Sequence, residues 1–172
     1  MKILLVDQFV ELGGAQQCFL DLAPALTAAG WRLAAALPGE GPYNERLHEL
    51  GVEPHVFATG SYSNGRKGLA EKLRFAAETP LLGRTLRGIV AREAPQLVYV
   101  NGPRMLPAAA LGARSRAPLL FHCHNHLPQN AAARAAAQAL RWSGADVVSC
   151  CEHAVAPFRG AVRGDRLEVV YN

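Results

Sequence analysis

The chain has 172 residues, half of them hydrophobic and 19% charged, with a formal net charge of +4. That length fits one domain able to bury a core without disulfides or metal, and the composition excludes a disordered tail, a coiled coil and a collagen-like chain. The basic balance is carried mainly by arginine, with lysine only at Lys2, Lys67 and Lys72; it suits an anionic ligand or an acidic membrane surface and falls short of a nucleic-acid arm.

Short apolar runs alternate with longer helical stretches. Lys2–Val6 is the first predicted strand. Gly13-Gly14 opens a helix from about Ala15 to Ala29, stopped by Gly30, and Pro24 inside it is expected to kink it. Trp31–Leu37 is a second strand, ended by Pro38-Gly39. Tyr43–Leu50 is a short helix and Pro54–Phe57 a third strand. The turn-rich Gly60–Gly65 reads as a loop. Gly68–Glu78 and Leu81–Glu93 carry apolar residues at helical spacing, and Pro80 is expected to separate them into two helices. Gln96–Val100 is a fourth strand and Pro103–Arg114 a helix of small residues. Pro118–Cys123 is a fifth strand, followed by an alanine-rich helix, Asn130–Trp142, with Asn130 as its N-cap. Val147–Cys150 is a sixth strand, Glu152–Phe158 a short helix and Leu167–Tyr171 a seventh strand.

This alternation predicts an α/β domain, a Rossmann-like open and mainly parallel sheet of about seven strands with helices on both faces. The near-continuous apolar runs LLFHC and DVVSC suit strands buried on both sides. Right-handed crossovers gather the strand C-termini on one edge, where ligands of such sheets bind. The expected domain is a single unit over residues 1–172. No apolar run approaches the ~18–20 residues of a membrane span, and the opening Met1-Lys2-Ile3-Leu4-Leu5-Val6-Asp7 is too soon acidic for a signal peptide. The four cysteines, Cys18, Cys123, Cys150 and Cys151, have no framework spacing and are read as reduced thiols of a cytoplasmic protein.

Four loops at that edge hold the informative residues. In the first, Gly13, Gly14 and Ala15 lead a helix whose free N–H groups and partial positive charge suit a phosphate. A turn that merely needs positive φ explains the same letters. The loop is neither a G-x-G-x-x-G dinucleotide fingerprint nor a Walker loop. The second holds His122, His124 and His126. Residues two apart on a strand share a face, so the three could ligate a metal. The pattern straddles the strand end, however, so the three should splay, and no metal site is expected. His124 at the strand tip is the candidate facing the cleft, with His122 buried in the sheet or its helix layer and His126 toward solvent or lining the loop. The third loop places Asn101 and Gly102 after the fourth strand, either lining the cleft or forming a plain Asn-Gly turn. The fourth is Cys150-Cys151-Glu152-His153. Glu152 either satisfies a helix dipole or lines the cleft, and Cys151 has no identifiable base to make it a nucleophile. Arg66, Lys67, Lys72, Arg74, Arg84, Arg87 and Arg92 read as a solvated helix face, with docking on an anionic membrane as the alternative. Nucleic-acid binding is not expected.

Taken together, the motifs resemble the amino-terminal domain of retaining GT-B glycosyltransferases of family four. ELGGAQQCFLDLAPALTAAGWRLAAALP resembles that family's Gly-Gly-Ala turn, first helix and second strand. LLFHCHNHLP resembles its strand ending in His-Asp, with His124 at the histidine and Asn125 where Asp is usual. ADVVSCCEHAVAPF resembles its Ser-Glu segment, with Cys151 in place of Ser and Glu152 at the Glu, and RLEVVYN resembles the strand before the interdomain hinge.

The resemblance implies a hexosyltransferase-like enzyme that moves a sugar from a nucleotide-sugar donor to a sugar, lipid-linked or small-molecule acceptor, with retention and without a cofactor. It implies that Gly13, Gly14 and Ala15 meet the donor diphosphate and that His124 acts catalytically at the donor sugar. Asn101, Gly102, Asn125 and Glu152 would line the cleft or the acceptor site. The carboxyl-terminal half that grips the nucleotide is not in this chain, so the fragment alone is expected to be inactive. The expected location is cytoplasmic, with a peripheral contact at the inner membrane face as a variant. The rival expectation is a non-catalytic α/β ligand-binding or membrane-docking module.

Overall fold

The computed structural model describes residues 1–58, 69–128 and 130–171, with backbone alone over 69–75. The loop Gly60–Gly65, the residues Arg66 and Lys67, the side chains of Lys72 and Arg74, and Asn172 lie outside the described residues. The apolar runs form seven strands: β1 (Lys2–Asp7), β2 (Arg32–Leu37), β3 (Pro54–Val56), β4 (Leu97–Asn101), β5 (Leu119–Cys123), β6 (Asp146–Ser149) and β7 (Leu167–Val169). Between them run α1 (Gly14–Ala28), α2 (Pro42–Glu49), α3 (Leu69–Glu93), α4 (Leu106–Ala113), α5 (Ala131–Ser143) and α6 (Glu152–Val155).

The strands make one sheet in the order β3-β2-β1-β4-β5-β6-β7, and every pairing is parallel. All strand C-termini therefore share one edge. The chain direction across the sheet reverses between β1 and β4, which opens a crevice outside their ends. Register sets one row of side chains there: Asp7 pairs with Asn101, and Asn101 with His122.

Alternation along the strands divides the core in two. Leu4, Val6, Val98, Val100 and Phe121 pack against α3, α4 and α5. Ile3, Leu5, Ala35, Leu37 and Tyr99 pack against α1 and α2 through Phe19, Leu20, Tyr43 and Leu47. The α3–α4 contact is close because glycine allows it. A Cβ on Gly83 would stand 2.8 Å from the Cβ of Leu111, and one on Gly112 would stand 2.8 Å from the Cβ of Leu86.

The helices expected on either side of Pro80 are a single helix, α3. Pro80 and Ala76 are both exposed, so the carbonyl that the proline leaves without an N–H faces water. Pro24 likewise sits inside α1, on its exposed side. The fourth helix starts at Leu106 rather than Pro103; residues 103–105 form a turn in which the Arg104 N–H donates to Gln8 Oε1 (3.0 Å). The helix expected over Glu152–Phe158 is α6 followed by a 3₁₀ turn, Ala156–Ala161, that begins around Pro157. Asn130 caps α5, its Oδ1 accepting from the N–H groups of Ala132 (2.9 Å) and Ala133 (3.1 Å). All four cysteines are free thiols. Among the described residues no helix is long and apolar enough to cross a membrane.

Candidate functional site

The crevice is built first from a buried carboxylate. Asp7, the last residue of β1, is fully buried and has no cationic partner among its contacts. Its Oδ1 accepts from the N–H groups of Gln8 (2.6 Å) and Phe9 (2.9 Å). The Gln16 side-chain amide donates to both oxygens, at 3.1 and 3.0 Å. The Asn101 amide donates to Oδ2 at 2.6 Å and also reaches the carbonyl of Ala15 at 3.2 Å. One carboxylate thus ties the ends of β1 and β4 to the first turn of α1. Burial pushes its pKa up to about 6 against these hydrogen bonds.

The Gly13-Gly14 turn rides on that anchor. Gly13 is the N-cap of α1 with an extended backbone (φ −141°), and no side chain caps the helix or places an acid in its first turn. Neither glycine has positive φ, so a backbone requirement does not explain the pair. Gly13 has an internal reason, since a Cβ there would meet Gln16 Oε1 at 3.1 Å. Gly14 has none: a side chain there would meet nothing within 4 Å. The N-terminal amides of α1 are left open on that side, with the helix dipole behind them.

His122 and His124 project from one side of β5, with ring centroids 3.8 Å apart. His122 is buried and its Nδ1 shares a hydrogen bond with the Tyr99 hydroxyl. Burial, helped by His124, holds its pKa down at about 4. His124 is half-buried, and burial lowers its pKa as well. Its Nε2 is inaccessible and has no hydrogen-bond partner. The ligating atoms of both rings lie within 4.8 Å of the Cys18 thiol on α1. Cys18 stands one helical turn, about 6 Å, beyond Gly14. The imidazole of His124 therefore lies beside Cys18, one helical turn from the amino end of α1.

The strand-end argument expects all three histidines to splay; only His126 does, whereas His122 and His124 stay together beside Cys18 because they keep one side of the chain across the end of β5. His126 stacks on His153 at 4.2 Å, and its ring bonds the His153 carbonyl at 2.8 Å. Asn101 is buried; its Nδ2 donates to Asp7 and to the Ala15 carbonyl, and its Oδ1 is buried without a partner. Gly102 takes φ +128°, and a Cβ there would fall 2.6 Å from the Gln8 side chain, so its glycine is needed by the fold itself. Asn125 is exposed. Glu152 is exposed and paired with Arg159. Sequence reasoning missed Asp7 and Gln16; the available signal was a charged residue closing the otherwise apolar KILLVD.

A family model for the glycosyl transferase 4-like domain matches residues 13–172. The chain belongs to that family. Solved structures agree on the fold of this glycosyl transferase 4-like domain. Anabaena Alr3699/HepE, solved in complex with UDP-glucose, superposes with a TM-score of 0.73 at 24% identity. The lipopolysaccharide outer core galactosyltransferase WaaB, in its apo form, gives 0.66 at 14%, and a glycosyltransferase from Rickettsia africae ESF-5 gives 0.68 at 15%. The matches cover 99–100% of this chain and 42–46% of theirs, so the chain spans less than half the length of these structures. The fold is the amino-terminal half of the GT-B arrangement. No curated protein matches the sequence.

Proposed function

We propose that residues 1–172 form the amino-terminal, acceptor-side domain of an enzyme that transfers a hexose, with retention, from a nucleoside-diphosphate sugar to an acceptor. On this reading the nucleotide is gripped by a carboxyl-terminal domain beyond this chain. The amides at Gly13, Gly14 and Ala15 meet the diphosphate, and His124 meets the donor sugar. The family assignment and the UDP and UDP-glucose bound to the Anabaena relative support the donor class.

The observation that carries the reading is the Nε2 of His124, buried without a partner on a ring that lies by Cys18, one turn from the uncapped end of α1. A buried ring nitrogen without a partner is costly to the fold and is kept where a ligand supplies the partner. Negative charge builds on the leaving diphosphate as the glycosidic bond breaks. N–H groups already aimed at it stabilise that charge more in the transition state than in the ground state. A neutral imidazole can donate to a sugar hydroxyl without adding a competing charge.

The test uses the enzyme that joins this domain to its carboxyl-terminal half, assayed with a panel of nucleotide sugars. His124→Ala is expected to lower kcat/KM for the donor by roughly 10²–10³ while the fold is retained. Wild-type turnover in that variant would reject the role.

A further inference from the structure

The proposed transfer uses one member of a tighter group and gives no task to the other two. Cys18 comes from α1, His122 from within β5 and His124 from just beyond it, and their ligating atoms all lie within 4.8 Å of one another. We propose that Cys18, His122 and His124 bind one Zn2+ ion, with water in the fourth position. The donor chemistry fits: one sulfur and two imidazoles are the ligand types zinc takes, in the three-plus-water arrangement of an open site. Tetrahedral bond lengths put zinc ligands roughly 3.3–3.6 Å apart, so the group must close by about 1 Å. Cys18 and His124 are half-buried.

The surroundings fit as well. His122 is held by Tyr99: with the proton on Nδ1, the ring donates to the Tyr99 oxygen and leaves Nε2 free for the metal, the outer-shell contact that orients ligating histidines. His124 Nε2 gains the partner it lacks. On binding, the Cys18 S–H bond is replaced by an S–Zn bond and one proton goes to solvent. If the transferase reading holds, an ion on Nε2 removes that imidazole from the donor sugar, and zinc inhibits transfer. That consequence rests on the reading above; the binding does not.

The 172-residue chain, kept reduced, is titrated with Co2+ as a spectroscopic probe and with Zn2+ against a chelating dye. The expected result is one ion per chain, tetrahedral cobalt bands and a thiolate-to-cobalt charge-transfer band. Cys18→Ser, nearly isosteric on a half-buried helix position, should lose that band and bind Zn2+ at least ~10-fold more weakly. His124→Ala should weaken binding similarly, with circular dichroism reporting the fold of each variant.

The neighbouring thiols provide the control. Cys150 donates to the His124 carbonyl at 3.4 Å, and its sulfur lies 4.0 Å from that of Cys151. The double variant Cys150→Ser, Cys151→Ser should still hold one ion with the band intact. No binding at micromolar metal overturns the proposal. So does a band that survives Cys18→Ser and vanishes in the double variant. In the enzyme that joins this domain to its carboxyl-terminal half, zinc bound without effect on transfer supports the site and counts against the donor role of His124, and the absence of zinc binding overturns the site while leaving that role standing.

Discussion

At Gly14 a side chain would meet no atom within 4 Å and the backbone has no positive φ, whereas at Gly102 both φ and the Gln8 side chain demand glycine. The two residues thus separate a space kept for something outside the chain from a space used by the chain itself. In the enzyme joined to its carboxyl-terminal half, Gly14→Val is expected to change stability by less than about 1 kcal/mol, since valine is no worse than glycine in a helix. Donor KM should rise at least several-fold, because the branched side chain occupies the approach to the α1 amides. Thermal unfolding and donor kinetics check the two halves of this expectation, and unchanged donor kinetics would reject the phosphate contact. The sequence showed the glycine pair and His124, because strand ends and helix starts locate them. It could not show which glycine was structurally free, since that depends on Gln16 reaching back to Asp7. Nor could it show that the Asn101 Nδ2 is taken by a residue 94 positions away.

Elements β1, β4 and α1 are held together by the Asp7 clamp, and that clamp titrates. Its pKa stands at about 6, above the ~3.9 of an unfolded aspartate, so between those values the folded state binds more protons than the unfolded one. The clamp therefore gains stability as pH falls through that window, by up to about 3 kcal/mol. His122 works in the other direction. Its pKa is held down at about 4, below the ~6.5 of an unfolded histidine, so the stability it contributes is lost as pH falls from ~6.5 toward 4. His124 shifts the same way and adds to that loss. In the wild type these trends largely offset one another, and urea midpoints from pH 6.5 to 4 should change little. Asp7→Asn removes the offsetting trend, so its midpoint should fall steeply with acidification over the same range. The slope is the readout, whatever constant offset the substitution introduces. A variant slope equal to wild type would mean that Asp7 titrates as an ordinary carboxylate. At this scale the element order was legible in the sequence, because strands buried on both faces must be apolar throughout and their connections must be helical. Pro80 was misread as a boundary. A proline rule concerns one lost hydrogen bond, and α3 spans it by turning the freed carbonyl to water and packing Leu82, Leu86, Ile89 and Val90 against the sheet.

Over the whole molecule, the proposed reading gives this domain one wall of the donor crevice, bordered by the α1 amides and His124. The chain matches less than half the length of the solved structures it resembles. A sugar transferase must hold the nucleotide, align the acceptor and keep water from the activated donor, and a closing cleft achieves the last of these. A single wall offers the diphosphate a few amides and a helix dipole, each anionic contact contributing roughly 0.3–2 kcal/mol. Millimolar affinity already corresponds to about 4 kcal/mol. On the proposed division of labour, the 172-residue chain should fold cooperatively, bind nucleotide sugars no tighter than about millimolar, and transfer no measurable sugar. Adding the carboxyl-terminal half should bring both affinity and turnover. Calorimetry with the isolated chain and a radiolabelled transfer assay distinguish the cases. Micromolar donor binding, or transfer by the isolated chain, would show that this wall alone carries the nucleotide site.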